Sequence, residues 1–351
     1  MSFPGDFVPI SEKFVKAGLE PEYIAFSDKF NLASFTSQDI PLDYFREDPT
    51  RVIIFEGKEK VEFDGTVKDI RVAVDDGEIT VRCYIPKNAM NEPEPRPAYI
   101  DFHGGGYVLG CLENDDNYCK RVCNETGAVS FNVDYRLAPE FPFPAGIEDS
   151  WAAVKYIIDH AEELKVDKSK IAIGGYSAGA VFTGVMCHRA RDAGIKICLQ
   201  VLGVPCCDTR SITPDGTRVE PDCPYQSWKD NRDNPDLSFR MISWFQSQYL
   251  GNPRPAEFDN NPEVNMILYS NFKDIAPAIV ITAQFDVFRD EGELYAHKLQ
   301  ENGVDCTLVR MPGAVHSHME FDGVLGSGKK YNELSIGAMK AAFRKAGYAI
   351  C

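Results

Sequence analysis

The sequence is short of positive charge. Its 351 residues carry 37 Lys and Arg against 53 Asp and Glu, a formal net charge of −16. Such a surface repels phosphate fields, which excludes nucleic acid and anionic membranes as expected partners. No uninterrupted apolar run approaches the length of a bilayer-spanning helix, so membrane insertion is not expected. The opening stretch "MSFPGDFVPISEKF" has neither a basic region nor a continuous apolar segment, and no signal peptide is expected. Matched Cys-x-x-Cys units are lacking as well. The eleven cysteines are odd in number and scattered. Reduced thiols and a cytoplasmic location are therefore expected, with no disulfide framework. Cys206, Cys207 and Cys223 read as loop or core residues, so the expectation is no metal and no cofactor.

What is present is an ordinary globular composition, 44% apolar and 26% charged, over a length that can bury a large core. Residues 1–60 hold helical patches and many aromatics, interrupted by Pro21, Pro41 and Pro49. From residue 61 the pattern turns to strands, with Ile79, Val81, Cys83 and Ile85 alternating with polar neighbours. "DDG" before them supplies a hairpin turn. After the proline-rich stretch 93–97 the chain repeats strand, loop and helix. Residues 205–262 break that rhythm and 263–351 resume it, with strands at "AIVITA" and "CTLVRM" and helices over 289–302 and 333–346. Alternation of this kind predicts an α/β fold, a mainly parallel central sheet with helices on both faces. The expected organisation is an N-terminal cap segment (1–60), a first core part (61–204), a cap insertion (205–262) and a second core part (263–351).

The chemistry-bearing stretch is "KIAIGGYSAGAVF" (170–182). A strand runs into Gly175-Tyr176-Ser177-Ala178-Gly179, and a helix follows. A sharp strand-to-helix turn would hold the Ser177 hydroxyl exposed, and larger side chains at the two glycines would collide with it. His103-Gly104-Gly105-Gly106 also follows a strand, and its N–H groups could converge with that of Ala178 on an oxyanion. A phosphate loop would want a Lys or Ser/Thr signature, which "YVLGCLEND" does not offer. A serine nucleophile needs a base, and the base an orienting acid. Downstream of Ser177, His188 and His297 fall within helices and read as structural or surface residues. His316 and His318 lie in "MPGAVHSHMEF" after a strand. Asp286 follows the strand at 278–283 directly, while Asp290 and Glu291 read as helix N-terminal charges.

These segments resemble the hormone-sensitive-lipase family of α/β-hydrolases over roughly residues 70–347. "HGGGYVLG" (103–110) is similar to its oxyanion segment, "DYRLAPEFPFPA" (134–145) to its signature stretch, and "GYSAG" (175–179) to its nucleophile turn. "AQFDVFRDEGELYAHKL" (283–299) and "PGAVHSH" (312–318) resemble its acid and base segments. The resemblance implies an α/β-hydrolase fold with a helical cap. It implies a triad of Ser177, Asp286 and His316, the last chosen over His318, with oxyanion donors at Gly105, Gly106 and Ala178. Tyr176, Val287 and Ser317 depart from the family pattern, and none of these removes a catalytic group.

The implied activity is carboxylic-ester hydrolysis through an acyl-enzyme, on a short- to medium-chain ester or a small aromatic or metabolite ester. Amide, formamide or lactone hydrolysis would use the same machinery. A non-catalytic receptor on this fold would lack the histidine that "GAVHSH" retains, and a dehydratase would alter "HGGG". Phe35, Tyr44, Tyr107, Tyr176, Trp228 and Trp244 are the expected pocket residues. The family resemblance also allows a monomer or a homodimer through the last strand and helix.

Overall fold

The computed structural model describes residues 6–34, 41–87, 89 and 94–350. Among these residues, eight strands form one sheet: β1 (Thr66–Val74), β2 (Gly77–Ile85), β3 (Arg96–Phe102), β4 (Val129–Asp134), β5 (Val166–Tyr176), β6 (Leu199–Gly203), β7 (Ala278–Phe285) and β8 (Cys306–Val315). Their spatial order is β1-β2-β4-β3-β5-β6-β7-β8. The first two pairings, β1 with β2 and β2 with β4, are antiparallel, and the remainder are parallel. The β1–β2 turn is the one read from "DDG". Val74 pairs with Gly77, leaving Asp75 and Asp76 as a two-residue loop, with Asp76 at φ 60°.

Among the described residues, ten α-helices connect and cover the strands: α1 (Glu12–Lys16), α2 (Pro21–Phe30), α3 (Leu42–Glu47), α4 (Leu112–Thr126), α5 (Ala145–Asp159), α6 (Ala178–Asp192), α7 (Gln226–Asn231), α8 (Phe239–Leu250), α9 (Arg289–Glu301) and α10 (Gly326–Lys345). The central strands are apolar on both sides because both sides are covered. In β7, Ala278 and Val280 join the core formed with α5, α6 and α9, whereas Ile279 and Ile281 join the opposite core with α4 and α10. The period of two thus divides one strand between two layers.

Two elements differ from the sequence reading. The helix α4 has Leu112, Cys119, Val122 and Cys123 on its buried side, a pattern hidden among acidic and amide residues. The last helix begins at Gly326, seven residues before the expected start. Its first turn runs Gly-Ser-Gly, which local propensity disfavours. Tertiary packing overrides that preference. A Cβ on Gly328 would come within 2.5 Å of the His318 carbonyl, and both the Ser327 N–H and its hydroxyl donate to Glu20.

The N-terminal aromatics pack at the carboxyl ends of β7 and β8. Phe14 meets Phe285 edge-on at 5.9 Å, and Phe26 meets Phe321 at 5.0 Å. The Glu20 N–H donates to the Gly313 carbonyl at 3.0 Å. The helices α7 and α8 lie in the long connection between β6 and β7, and the Tyr23 hydroxyl donates to Asp236 in that connection. No helix among the described residues is long and apolar enough to cross a membrane.

Candidate active site

Ser177 sits between β5 and α6 with φ 54° and ψ −120°, a region L-residues rarely occupy. The flanking glycines make the turn possible. A Cβ on Gly179 would lie 1.8 Å from the Phe102 carbonyl oxygen, and one on Gly175 would lie 2.3 Å from the same atom. The Ser177 N–H donates to the Gly203 carbonyl at 2.8 Å, fixing the elbow to β6.

The His316 Nε2 lies 2.9 Å from Ser177 Oγ, and its Nδ1 lies 2.8 Å from Asp286 Oδ2. Asp286 Oδ1 accepts from the Phe288 N–H at 3.0 Å, so the carboxylate is held from both sides. Burial on its own would lower the His316 pKa. The charge and hydrogen bond of Asp286, with Asp236 and Glu320 beyond, outweigh it and hold the imidazole above its ordinary value. The loop carrying His316 is fixed by Asp236, which accepts from the Ser317 N–H at 2.7 Å and from its hydroxyl at 2.5 Å.

His318 points inward. It is fully buried, its Nδ1 lies 2.8 Å from the Val315 carbonyl, and burial brings its pKa down to about 4. His188 is a core residue stacked on Tyr269 at 3.5 Å, and burial takes its pKa down to about 3. The two other acids are committed elsewhere. Asp290 accepts from the Ser227 N–H at 2.7 Å, and the buried Glu291 accepts from the Cys207 N–H at 3.0 Å. Both stand in the first turn of α9, where the sequence reading put them, and they also tie that turn to the segment after β6.

The His103–Gly106 loop runs beside the elbow. Gly105 and Gly106 have φ 117° and 60°, and Tyr107 follows at 67°. A Cβ on Gly105 would meet the Leu109 carbonyl oxygen at 2.1 Å, and one on Gly106 would enter the Phe245 ring at 2.4 Å. His103 is a buried anchor stacked on Tyr135 at 4.2 Å, with Nδ1 2.7 Å from the Gly104 carbonyl. Burial lowers its pKa to about 4, so it is a neutral strut. Arg46 clamps this loop to the 134–145 segment. It donates to the Val108 carbonyl at 2.8 Å and to the Ala138 carbonyl at 2.7 Å, and it pairs with Glu140. Nothing in the local pattern around Arg46 signals that clamp.

A cavity of about 190 Å³ opens over Ser177 and His316. Gly105, Gly106, Tyr107, Tyr176 and Ala178 line it. Three other expected pocket residues stand elsewhere. Tyr44 is 41% exposed on the surface, under the Arg51 guanidinium. Trp228 is buried one layer back, edge-on to Phe288 at 5.9 Å. Trp244 packs beside Phe245 at 5.1 Å, off the cavity face of α8. Phe35 lies outside the described residues. The residues of α8 that do line the cavity are Met241, Ile242, Phe245, Gln246, Tyr249 and Leu250. Their helical spacing in "MISWFQSQYL" is the signal that could have found them. Leu32, Val52 and Ile54 join them from the N-terminal segment.

Sheet order, elbow and site together define an α/β-hydrolase. A family model described as an alpha/beta hydrolase fold matches residues 99–320. The chain is 31% identical to an AB hydrolase superfamily protein of Schizosaccharomyces pombe, with 94% of this chain and 95% of that one covered. It is 32% identical to the esterase LipI of Mycobacterium tuberculosis, over 78% of this chain and 81% of that one. A solved hyperthermophilic esterase from the archaeon Pyrobaculum calidifontis superimposes with a TM-score of 0.74 at 33% identity, covering 86% of this chain and 94% of that one. The chain belongs to the hormone-sensitive-lipase family of α/β-hydrolases.

Proposed function

We propose that the chain is a serine carboxylesterase working through Ser177, His316 and Asp286 on short- to medium-chain or small aromatic or metabolite esters. As a member of its family it is an ester-hydrolysing enzyme. The observation that carries the mechanism is the continuous chain from Ser177 Oγ to His316 at 2.9 Å and on to Asp286 at 2.8 Å. Ser177 Oγ attacks the ester carbonyl while His316 Nε2 takes its proton. The backbone N–H groups of Gly105, Gly106 and Ala178 receive the developing oxyanion. His316 returns the proton to the departing alcohol, then activates water to cleave the acyl-enzyme. The residues before β1 and those in 205–262 act together as the cap that gives the cavity its apolar walls.

A cavity of about 190 Å³ favours modest substrates. Across a p-nitrophenyl series from acetate to palmitate, kcat/KM should peak on short to medium chains and collapse on palmitate. A maximum at palmitate would refute this size reading, and no turnover of any ester would refute the function. The pH profile follows from His316, since only the neutral imidazole can accept the serine proton. With its pKa held above the ordinary 6.5, kcat/KM should fall as pH drops through a value above 6.5. A profile still flat well below 6.5 would show that this imidazole is not the base.

A further inference from the structure

Beyond the triad, the cavity has a consistent electrical character. Among the described residues, those that line it include two further carboxylates, Asp236 and Glu320, and neither Lys nor Arg. Both stand on the His316 side. Asp236 holds the Ser317 N–H and hydroxyl, and Glu320 lies four residues after His316 at the cavity wall. Their charges reach the imidazole, since both help to raise its pKa. Lys58 faces a smaller cavity that also includes Tyr176 and Glu320, and it gives its ammonium to the Asn114 carbonyl at 3.0 Å. The same side of the main cavity presents aromatic rings from Tyr176, Phe288 and Phe321. Phe288 stands edge-on to the His316 ring at 5.5 Å. Carboxylates beside aromatic rings form the setting in which an ammonium group is stabilised by charge and by ring quadrupoles together. The alcohol leaves on the histidine side, because that imidazole protonates it.

We propose that Glu320, with Asp236 behind it, is a specificity-determining residue that selects esters whose alcohol part carries an ammonium group and disfavours those whose alcohol part carries a carboxylate. The inference rests on the esterase reading of the site. The molecule's net charge of −16 acts in the same direction, drawing cations toward the cavity.

The test compares three butyrate esters: butyrylcholine, its uncharged carbon isostere tert-butylethyl butyrate, and the butyrate ester of glycolate. At low salt, kcat/KM should favour butyrylcholine over the isostere by about tenfold and should place the glycolate ester about tenfold below it. Glu320→Gln should shrink the cation-to-neutral ratio several-fold. Reading it as a ratio removes any general change in activity. In the unaltered enzyme the same ratio should shrink as salt is raised, a readout that needs no variant. Cleavage of the isostere with a ratio near one, or a ratio that neither Glu320→Gln nor salt changes, overturns the inference and leaves the esterase reading standing. If the enzyme cleaves none of the three esters nor any p-nitrophenyl ester, the esterase reading falls and this inference falls with it.

Discussion

Replacing His316 with alanine should lower kcat by roughly 10³–10⁶-fold on a p-nitrophenyl ester while the protein stays folded. The imidazole is the group placed 2.9 Å from Ser177 Oγ, and without it the hydroxyl must attack still carrying its proton. His318, two residues on, offers no substitute. Its ring is fully buried against Tyr331, and its Nδ1 is engaged by the Val315 carbonyl. His318→Ala should therefore cause only a modest loss, through looser packing of the loop. Circular dichroism and a melting curve separate lost chemistry from lost fold. A His318→Ala enzyme more impaired than His316→Ala would mean that the base has been assigned to the wrong ring.

Asp286→Asn should cost about 10⁴-fold in kcat. The asparagine fills nearly the same space, and its amide oxygen can still accept from the Phe288 N–H, which donates at 3.0 Å to the native carboxylate. What disappears is the negative charge 2.8 Å from His316 Nδ1. That charge stabilises the imidazolium formed during attack and fixes which nitrogen faces the serine. A second readout follows. The carboxylate is the first of the groups that raise the His316 pKa against burial, so the acidic limb of the residual activity should move to lower pH. The same substitution at Asp290 should be far milder, because that carboxylate serves the Ser227 N–H and Arg289 instead. A larger loss at Asp290 than at Asp286 would contradict the assignment.

The parts legible in the sequence were those in which backbone geometry dictates residue type. The elbow requires glycine at positions where any Cβ would penetrate the Phe102 carbonyl, so its spacing is written locally. Strand and helix alternation gave the layered sheet because strands covered on both faces must be apolar throughout. The cavity walls were harder to read, since a wall depends on how elements dock. Trp244 and Phe245 are neighbours in sequence, yet only Phe245 faces the cavity. Their order on α8 is readable, but which side turns inward is decided by contacts such as Phe245 against Gly106. Trp228 illustrates a related difficulty. A large aromatic in an irregular segment invites a binding role, and here it buttresses Phe288 from behind. Arg46 and Asp236 carry no local sequence signal, because each acts on backbone far away in the chain, Arg46 on Val108 and Ala138 and Asp236 on Ser317.

The central claim is that Ser177 is the nucleophile, and covalent trapping tests it most directly. A p-nitrophenyl alkylphosphonate should react once per chain. Ser177 Oγ forms the bond to phosphorus, His316 takes the proton, and p-nitrophenolate leaves in stoichiometric amount. Intact-mass measurement should show a single adduct, and peptide mapping should place it on Ser177 within "IGGYSAG". Ser177→Ala should take up no label and release no p-nitrophenolate burst. An adduct on another residue, or a carefully purified Ser177→Ala enzyme that still turns over esters at near the original rate, would contradict the account.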